Sequence, residues 1–380
     1  MLLFFLLIFS LYYIFILLMI YGWKKLSVLL NVISSNKRLL ISIIIAVRNE
    51  EKNLPKLLHC ISKQSLPANQ FELILVDDDS SDNSMDIIRK FMEHHELNII
   101  LLKSEFQPGN GKTPKKAALQ KGIEASKGEI IVMTDGDCWF GEEWLESMTT
   151  KFADEKIMFV SGPVALTCED EQNLLSKIQT LEFSSLMGSG GALIGFNYPI
   201  MCNGANLAFR KKTFYDVDGY GGFEDKSSGD DVYLMQKIHT SFRNSVAFQK
   251  DPRALVYSYP QPTFIDLINQ RKRWASKWNT YLLPLSWVLP VFVFVHYLSF
   301  IAGIISFFVM PQISWIIGFL LLTKIILDYW FLKNIMVFCR LRFEFWIFIM
   351  SEFLYPFYAL TIGISVHFGN YKWKDRAYKI

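Results

Sequence analysis

Four apolar stretches bracket the chain, one at its amino end and three towards its carboxyl end, around a middle where strand-like and helix-like patterns alternate. That distribution constrains the fold more than any motif, because a run of about 20 apolar residues is long enough to span a bilayer. Residues 1–23 are almost wholly apolar and are followed by Lys24-Lys25. They lack the charged start and small-residue cleavage site of a signal peptide, so they read as an uncleaved anchor with which the mature chain begins. The lysines, with Lys37-Arg38 beyond them, place the next domain in the cytoplasm by the positive-inside rule. Residues 282–310, 313–332 and 345–366 are each long enough to cross, and the basic loop 333–342 reads as cytoplasmic. Three crossings would then put residues 371–380 outside, against the charge of Lys372, Lys374, Arg376 and Lys379. Either one segment is re-entrant, broken at Pro311 or Pro356, or the tail is an exception to the charge rule.

Composition excludes some classes. A net charge of +3 over 380 residues, with no basic stripe interleaved with aromatics, argues against a nucleic-acid partner. Cys60, Cys138, Cys168, Cys202 and Cys339 show no C-x-x-C spacing and read as free thiols of a reducing compartment, not zinc ligands or disulfides.

From Leu40 the pattern is α/β. Apolar runs at 41–47, 71–76, 99–102 and 130–133 read as strands. Helical spacing marks the stretch through Ile61, residues 83–94 (Met85, Ile88, Phe91, Met92) and residues 115–125. This alternation predicts a parallel, doubly wound sheet, in which ligands bind beyond the carboxyl ends of the strands. After Thr150 the pattern loosens. Residues 182–199, with Gly188-Ser189-Gly190-Gly191, read as a mobile lid, a membrane-hugging loop or a low-complexity linker. Residues 264–282 mix Arg271, Lys272, Arg273 and Lys277 with Trp274, Trp278 and Tyr281, which suits a helix in the headgroup zone.

Charged clusters fall at the strand ends. Asp135-Gly136-Asp137 closes the fourth strand; alternate residues face one way, so both carboxylates can hold one hard divalent cation, the plainer alternative being a solvated turn. Asp77-Asp78-Asp79 can accept from a base N–H or a ribose hydroxyl, or Asp79 or Ser80 can cap the next helix. Lysines in Asn110-Gly111-Lys112-Thr113-Pro114-Lys115-Lys116 can neutralise a diphosphate at a helix start, or form a solvated basic face. Asp230-Asp231 offers a general base with a partner that tunes it, or a helix cap. In Gln270-Arg271-Lys272-Arg273-Trp274, Arg273 can bind a pyrophosphate and Trp274 can wall a sugar or lipid; the alternative is an interfacial anchor.

In order, these clusters resemble the membrane-integral branch of the family-2 glycosyltransferases, which have a GT-A fold. The matching residues are Val76-Asp77-Asp78-Asp79-Ser80, Thr134-Asp135-Gly136-Asp137, Gly229-Asp230-Asp231 and Gln270-x-x-Arg273-Trp274, with residues 43–51 similar to the family's first strand and turn. The resemblance implies an inverting transfer from a nucleotide-diphosphate sugar, a UDP-sugar, to a lipid or glycan acceptor. Asp231 would be the base with Asp230 beside it, and Asp135 and Asp137 would hold Mg2+ or Mn2+. Ala46, Arg48, Glu50, Asp77, Asp78, Lys112, Lys116 and Asp135 would bind the donor, and Asn203, Gly204, Gln270, Arg273 and Trp274 would serve the leaving group and acceptor. Two departures stand out: Asp79 replaces the glycine of the usual Asp-Asp-Gly-Ser, and Asp230 replaces a glutamate.

The implied organisation is an anchor at 1–23, a cytoplasmic GT-A domain at 40–262, an interfacial helix at 263–281, membrane helices at 282–370 and a basic tail at 371–380. A multi-pass enzyme of the inner or plasma membrane, working in cell-envelope synthesis, fits this layout. The chain is similar in size and motif order to ceramide glucosyltransferases, which favours a lipid acceptor. A processive polysaccharide synthase is the nearest rival, and a non-catalytic nucleotide-binding scaffold is the rival from another class.

Overall fold

The first apolar run is one continuous helix, α1 (Leu2–Lys25). The alternating middle forms β1 (Ile41–Val47), α2 (Leu54–Ser62), β2 (Phe71–Asp77), α3 (Ser84–His94), β3 (Ile99–Lys103), α4 (Pro114–Ala125) and β4 (Ile130–Met133). Shorter pieces follow: β5 (Trp139–Phe140), α5 (Trp144–Thr149), β6 (Phe159–Ser161) and β7 (Val164–Leu166). Then come α6 (Leu174–Gly195), β8 (Leu207–Arg210), α7 (Lys211–Asp216), α8 (Asp230–Ser241), β9 (Val246–Phe248) and β10 (Val256–Ser258). The last third is α9 (Phe264–Ala275), α10 (Leu285–Val309), α11 (Ser314–Phe338), α12 (Phe345–Ser365), β11 (Asn370–Trp373) and β12 (Arg376–Lys379). The structure, a computed structural model, describes residues 2–26, 39–104, 106, 113–167, 173–224, 229–277, 280–365, 370–373 and 376–379. It divides into a sheet unit, Leu26–Ala165 with Asn197–Tyr259, and a helical unit, Met1–Lys25 with Leu166–Phe196 and Pro260–Ile380.

In the sheet unit seven strands run in the order β3-β2-β1-β4-β8-β6-β9. Ile43, Ile44, Ile45, Leu73, Ile74 and Leu75 are wholly buried, as expected of parallel strands covered on both faces. Register is locked at the amino ends: Ser42 Oγ donates to Glu72 Oε1 at 2.6 Å and accepts from Gly128 N at 2.8 Å. Gly128 has to be glycine, since a Cβ there would lie 2.5 Å from Ser42 N. The parallel expectation holds for β1 to β4 and fails beyond them. Strand β8 runs antiparallel to both β4 and β6, while β6 and β9 are parallel. The sheet is therefore mixed, and β8 delivers its amino end, not its carboxyl end, to the edge where β4 finishes.

The helical unit corrects four expectations. Residues 182–195 are not a loop or linker but the body of α6, a 22-residue helix against α1, α11 and α12. Its glycines are contact positions: a Cβ on Gly188 would meet Ile335 Cδ1 at 2.6 Å, and one on Gly22 of α1 would meet Ala192 O at 2.9 Å. Small residues let helices approach closely, and the same composition reads as a linker when only sequence is in view. Helix α11 continues to Phe338, so Lys333 is helical and its ammonium donates to Tyr329 OH at 2.9 Å. Helix α9 stops at Ala275, and Trp278 lies outside the described residues. The tail forms an antiparallel ribbon, β11 with β12, and β11 packs against α9.

Helices α1, α10, α11 and α12 are the four long and apolar enough to cross a membrane among the described residues. They share a buried polar knot. Lys324 of α11 pairs with Asp328 at 2.9 Å and with Glu352 of α12, Tyr12 OH of α1 donates to Asp328 Oδ1 at 2.8 Å, and His296 of α10 stacks on Tyr12 at 3.7 Å.

Candidate active site

Register assembles the motifs expected on the donor side. Val47 of β1 sits opposite Asp77 of β2, and Ile44 opposite Met133 of β4, so the three strands finish on one edge. Ala46, the partly exposed residue of β1, belongs to that edge. The turns after β1 and β2 are laced together. Asn49 N donates to Ser80 Oγ at 3.2 Å, Ser81 N to Asn49 Oδ1 at 2.8 Å, Glu50 N to Ser84 Oγ at 2.8 Å and Glu51 N to Asp82 Oδ2 at 3.0 Å. Arg48 Nη1 donates to Asp78 O at 2.6 Å. Asp77 and Asp78 are buried, and Asp77 Oδ1 accepts from Ser80 N at 2.9 Å, an Asx-type turn. Asp79 keeps the glycine-type conformation, φ +63°, which an aspartate tolerates better than most side chains. Neither Asp79 nor Ser80 caps α3; its N-cap position is Asn83.

The Asp135–Asp137 turn packs on the first of these loops. A Cβ on Gly136 would lie 2.9 Å from Glu50 Cγ, so glycine between the two acids is a steric requirement. Lys115 at the start of α4 reaches Asp135 Oδ1 at 2.8 Å. Burial works against its ammonium, but Asp135, Asp230 and Asp231 outweigh it and hold its pKa above the usual lysine range. Among the described residues the lysine of this cluster that reaches the edge is Lys115, whereas the resemblance points to Lys112 and Lys116. Lys116 is buried, donates to Phe223 O and lies 5.4 Å from the Tyr233 ring centroid, a post between α4 and α8. Lys112 lies outside the described residues.

The donor set suits a hard divalent cation. Asp135 is 35 % exposed and already faces a cationic group, Lys115, and Asp137 stands two residues on. Among the described residues no cluster of three or more acidic, histidine or cysteine ligands forms a complete cage, so phosphate oxygens and water would complete the shell.

The residues expected on the acceptor side arrive through β8. Because β8 is antiparallel, Leu207 lies opposite Met133, and the turn before it reaches the same edge. Asn203 shapes that turn by accepting from Ala205 N at 2.9 Å on Oδ1. A Cβ on Gly204 would lie 3.7 Å from Asp231 Oδ2 and 3.9 Å from Asp230 Oδ2, so this turn borders the acidic pair at the start of α8. Gly229, at φ +82°, admits the chain to that helix. Asp231 Oδ1 accepts from Val232 N at 2.8 Å, and the Gly204 backbone also donates to its carboxylate. Burial, then the adjacent Asp230, pushes Asp231 up to about 6 against those hydrogen bonds and Lys115. Asn206, in the same segment, is a structural spacer: it accepts from Trp144 Nε1 at 3.0 Å and donates to Pro163 O and Ala254 O at 2.8 Å.

Gln270, Arg273 and Trp274 belong to α9 of the helical unit. There the Trp274 ring meets Phe183 at 6.1 Å, and Arg273 O accepts from Lys277 Nζ at 3.0 Å.

The family model described as Glycosyl transferase family 2 matches residues 42–217, and that described as Glycosyl transferase family group 2 matches residues 130–362. The poly-beta-1,6-N-acetyl-D-glucosamine synthase of Staphylococcus epidermidis is 27 % identical over 83 % of this chain and 71 % of its own length. The beta-monoglucosyldiacylglycerol synthase of Trichormus variabilis is 27 % identical over 62 % of this chain and 48 % of its own. The mannosyltransferase PcManGT from Pyrobaculum calidifontis, solved in complex with GDP-Man and Mn2+, superposes with a TM-score of 0.56 over 96 % of this chain and 98 % of its own. At 15 % identity that likeness is one of fold.

Proposed function

This chain belongs to the family 2 glycosyl transferases and transfers a sugar from a nucleotide-activated donor, and we propose that it does so with inversion, from a UDP-sugar to a membrane lipid. What supports the reading is a single sheet edge: beside the end of β1, the end of β2 carries Asp77 and Asp78 and the end of β4 leads to Asp135, and antiparallel β8 brings Gly204 with Asp231 beside it.

Asp231 takes the proton of the acceptor hydroxyl as that oxygen attacks the anomeric carbon and the bond to the diphosphate breaks on the opposite face. A pKa near 6 makes it a stronger base than an ordinary carboxylate, yet leaves it ionised at neutral pH. Asp77 and Asp78 take the nucleoside, with Ala46, Arg48 and Glu50 around them, and Lys115 adds positive charge beside Asp135. A divalent ion held by Asp135 and Asp137 would supply Lewis-acid neutralisation of the departing diphosphate. Asn203 and Gly204 border the acceptor, and Gln270, Arg273 and Trp274 serve the leaving group and the acceptor sugar.

A polysaccharide product is the second reading, favoured by one observation: the match to the poly-N-acetylglucosamine synthase extends over 83 % of the chain, against 62 % for the glucolipid synthase. A non-catalytic scaffold is set aside by membership of a transferase family in which the candidate acids are all in place. UDP-glucose and UDP-N-acetylglucosamine, with membrane lipid extract as acceptor, distinguish the outcomes. A solvent-extractable lipid carrying one sugar supports the first reading, an insoluble polymer the second, and absence of transfer sinks both. Excess EDTA, or Asp137→Asn, should remove turnover; full activity in either case refutes the metal role.

For the membrane we propose that the sheet unit is cytoplasmic and that α12 enters and returns on that side. Phe348 shares a buried cluster with Leu332 and Met336 near the end of α11, Glu352 reaches Lys324 at its middle, and Gly363 returns to Phe294 in the first half of α10. Pro356 stands between the two legs, where it removes a helix hydrogen bond. The return is consistent with β11 lying on α9, just before α10 begins, and it brings the basic tail to the cytoplasmic side. A green fluorescent protein fused after Ile380 should fluoresce, whereas an active alkaline phosphatase fusion there would show the tail outside.

A further inference from the structure

Gln270 and Trp274 are both held by a residue that the motif leaves unspecified. Arg271 is 5 % exposed, and its guanidinium forks onto Glu182 of α6, Nε to Oε1 at 3.1 Å and Nη2 to Oε2 at 2.7 Å. Its Nη1 donates to Gln270 Oε1. Its Cζ lies 4.4 Å from the centroid of the Trp274 ring, and Phe183, the residue after Glu182, meets that same ring. We propose that Arg271 and Glu182 are a positioning pair that sets the Gln270 amide and the Trp274 indole for the leaving group and the acceptor; this rests on the glycosyltransfer reading above.

The chemistry of the guanidinium decides how the amide is turned. Arginine only donates, so the Gln270 oxygen must face it and the Gln270 amine must point away. That leaves an N–H donor, suited to an oxygen of a diphosphate or a sugar hydroxyl. The Trp274 ring is set at the same time, with the cation over one part of its surface. A tie between α6 and α9 would need only the fork to Glu182, whereas here Nη1 and the body of the guanidinium also meet two residues of the motif. Lysine at 271 would keep a charge but lose both the fork and the guanidinium beside the Trp274 ring.

The test uses the full chain in lipid nanodiscs and whichever of UDP-glucose or UDP-N-acetylglucosamine the wild type turns over, with rates normalised to folded protein. Arg271→Lys should lower kcat about 100-fold, the scale of a misplacement near 1 Å, while donor KM moves by less than about threefold. Gln270→Glu keeps an oxygen towards Arg271 but removes the outward donor, so it should lose a similar factor in kcat with no fall in melting temperature. The second variant decides the matter if the first fails to fold. Full kcat in Gln270→Glu, or a loss in Arg271→Lys that only tracks the folded fraction, overturns the inference while leaving the glycosyltransfer reading standing. A wild type inert with both donors breaks that reading and takes this one with it.

Discussion

In the sheet unit, Asp77, Asp135 and Asp231 stand at strand or helix ends, steadied by backbone N–H groups or by Lys115, and two of the three keep a partly exposed face. In the helical unit, Lys324 closes on Asp328 and Glu352, and Arg271 on Glu182, with every one of these side chains at most 8 % exposed. The same chemical groups do opposite things. An acid held by backbone donors, or by a lysine at a partly exposed edge, keeps capacity for a substrate proton or a cation; an acid closed on a buried base has its partner already. The first arrangement costs stability and supplies reactivity, and the second specifies which helices belong together.

The largest effect should come from the open set. Asp231→Asn keeps the shape and removes the proposed base, so transfer with saturating donor should fall 10²–10⁴-fold, roughly 3 to 5 kcal/mol of barrier, with donor binding retained. The side chains of Asp230 and Asp231 point about 100° apart at the start of α8, and Asp231 is the one receiving N–H bonds from both Gly204 and Val232. Asp230→Asn should therefore be the milder variant. If Asp230→Asn is dead and Asp231→Asn nearly normal, the base is misassigned by one residue.

The closed set should answer in stability. Lys324→Met leaves Asp328 and Glu352 facing each other without their cation, and breaking a buried pair in this way typically costs about 3–5 kcal/mol. Replacing all three by apolar residues of similar size should cost much less, because no uncompensated charge remains. Melting in nanodiscs measures both. A triple variant as unstable as Lys324→Met would show that the knot does more than pair charges, and would blur the contrast with the sheet unit.

How far the sequence reveals this contrast depends on what periodicity can carry. β2 and β4 are apolar runs followed at once by acids, so the edge proposed for the donor is legible before any coordinates exist. Direction and phase are not. Four-residue β8 carries no mark of running backwards, yet that reversal is what brings Gly204 to Asp231. Lys115 and Lys116 differ by one step of helix rotation, and only the start of α4 at Pro114 decides which faces Asp135. Arg271 stands 89 residues from Glu182, which lies in a glycine-rich stretch whose composition suggests a loop until the helices it separates are seen to touch.

The smallest effect, and the most discriminating, is in pH. Asp231 must be ionised to accept a proton, and with its pKa at about 6 the rate should be level at neutral pH and fall about tenfold per unit below 6. The stability contribution runs the other way. An acid whose folded pKa is raised binds a proton in the folded state that the unfolded chain has released, between its ordinary value near 3.8 and about 6. Stability contributed by this group is therefore lost as pH rises through that window, and the penalty is complete above it. Asp231→Asn should make the protein more stable than wild type at pH 7.5, with the gap closing by pH 4, even as transfer is lost. Glu182→Gln should do the reverse at pH 7.5, lowering the melting temperature by leaving Arg271 without its full counter-charge. If both variants shift the melting temperature in the same direction at pH 7.5, open and closed carboxylates are not two kinds of site, and the base assignment loses its electrostatic support.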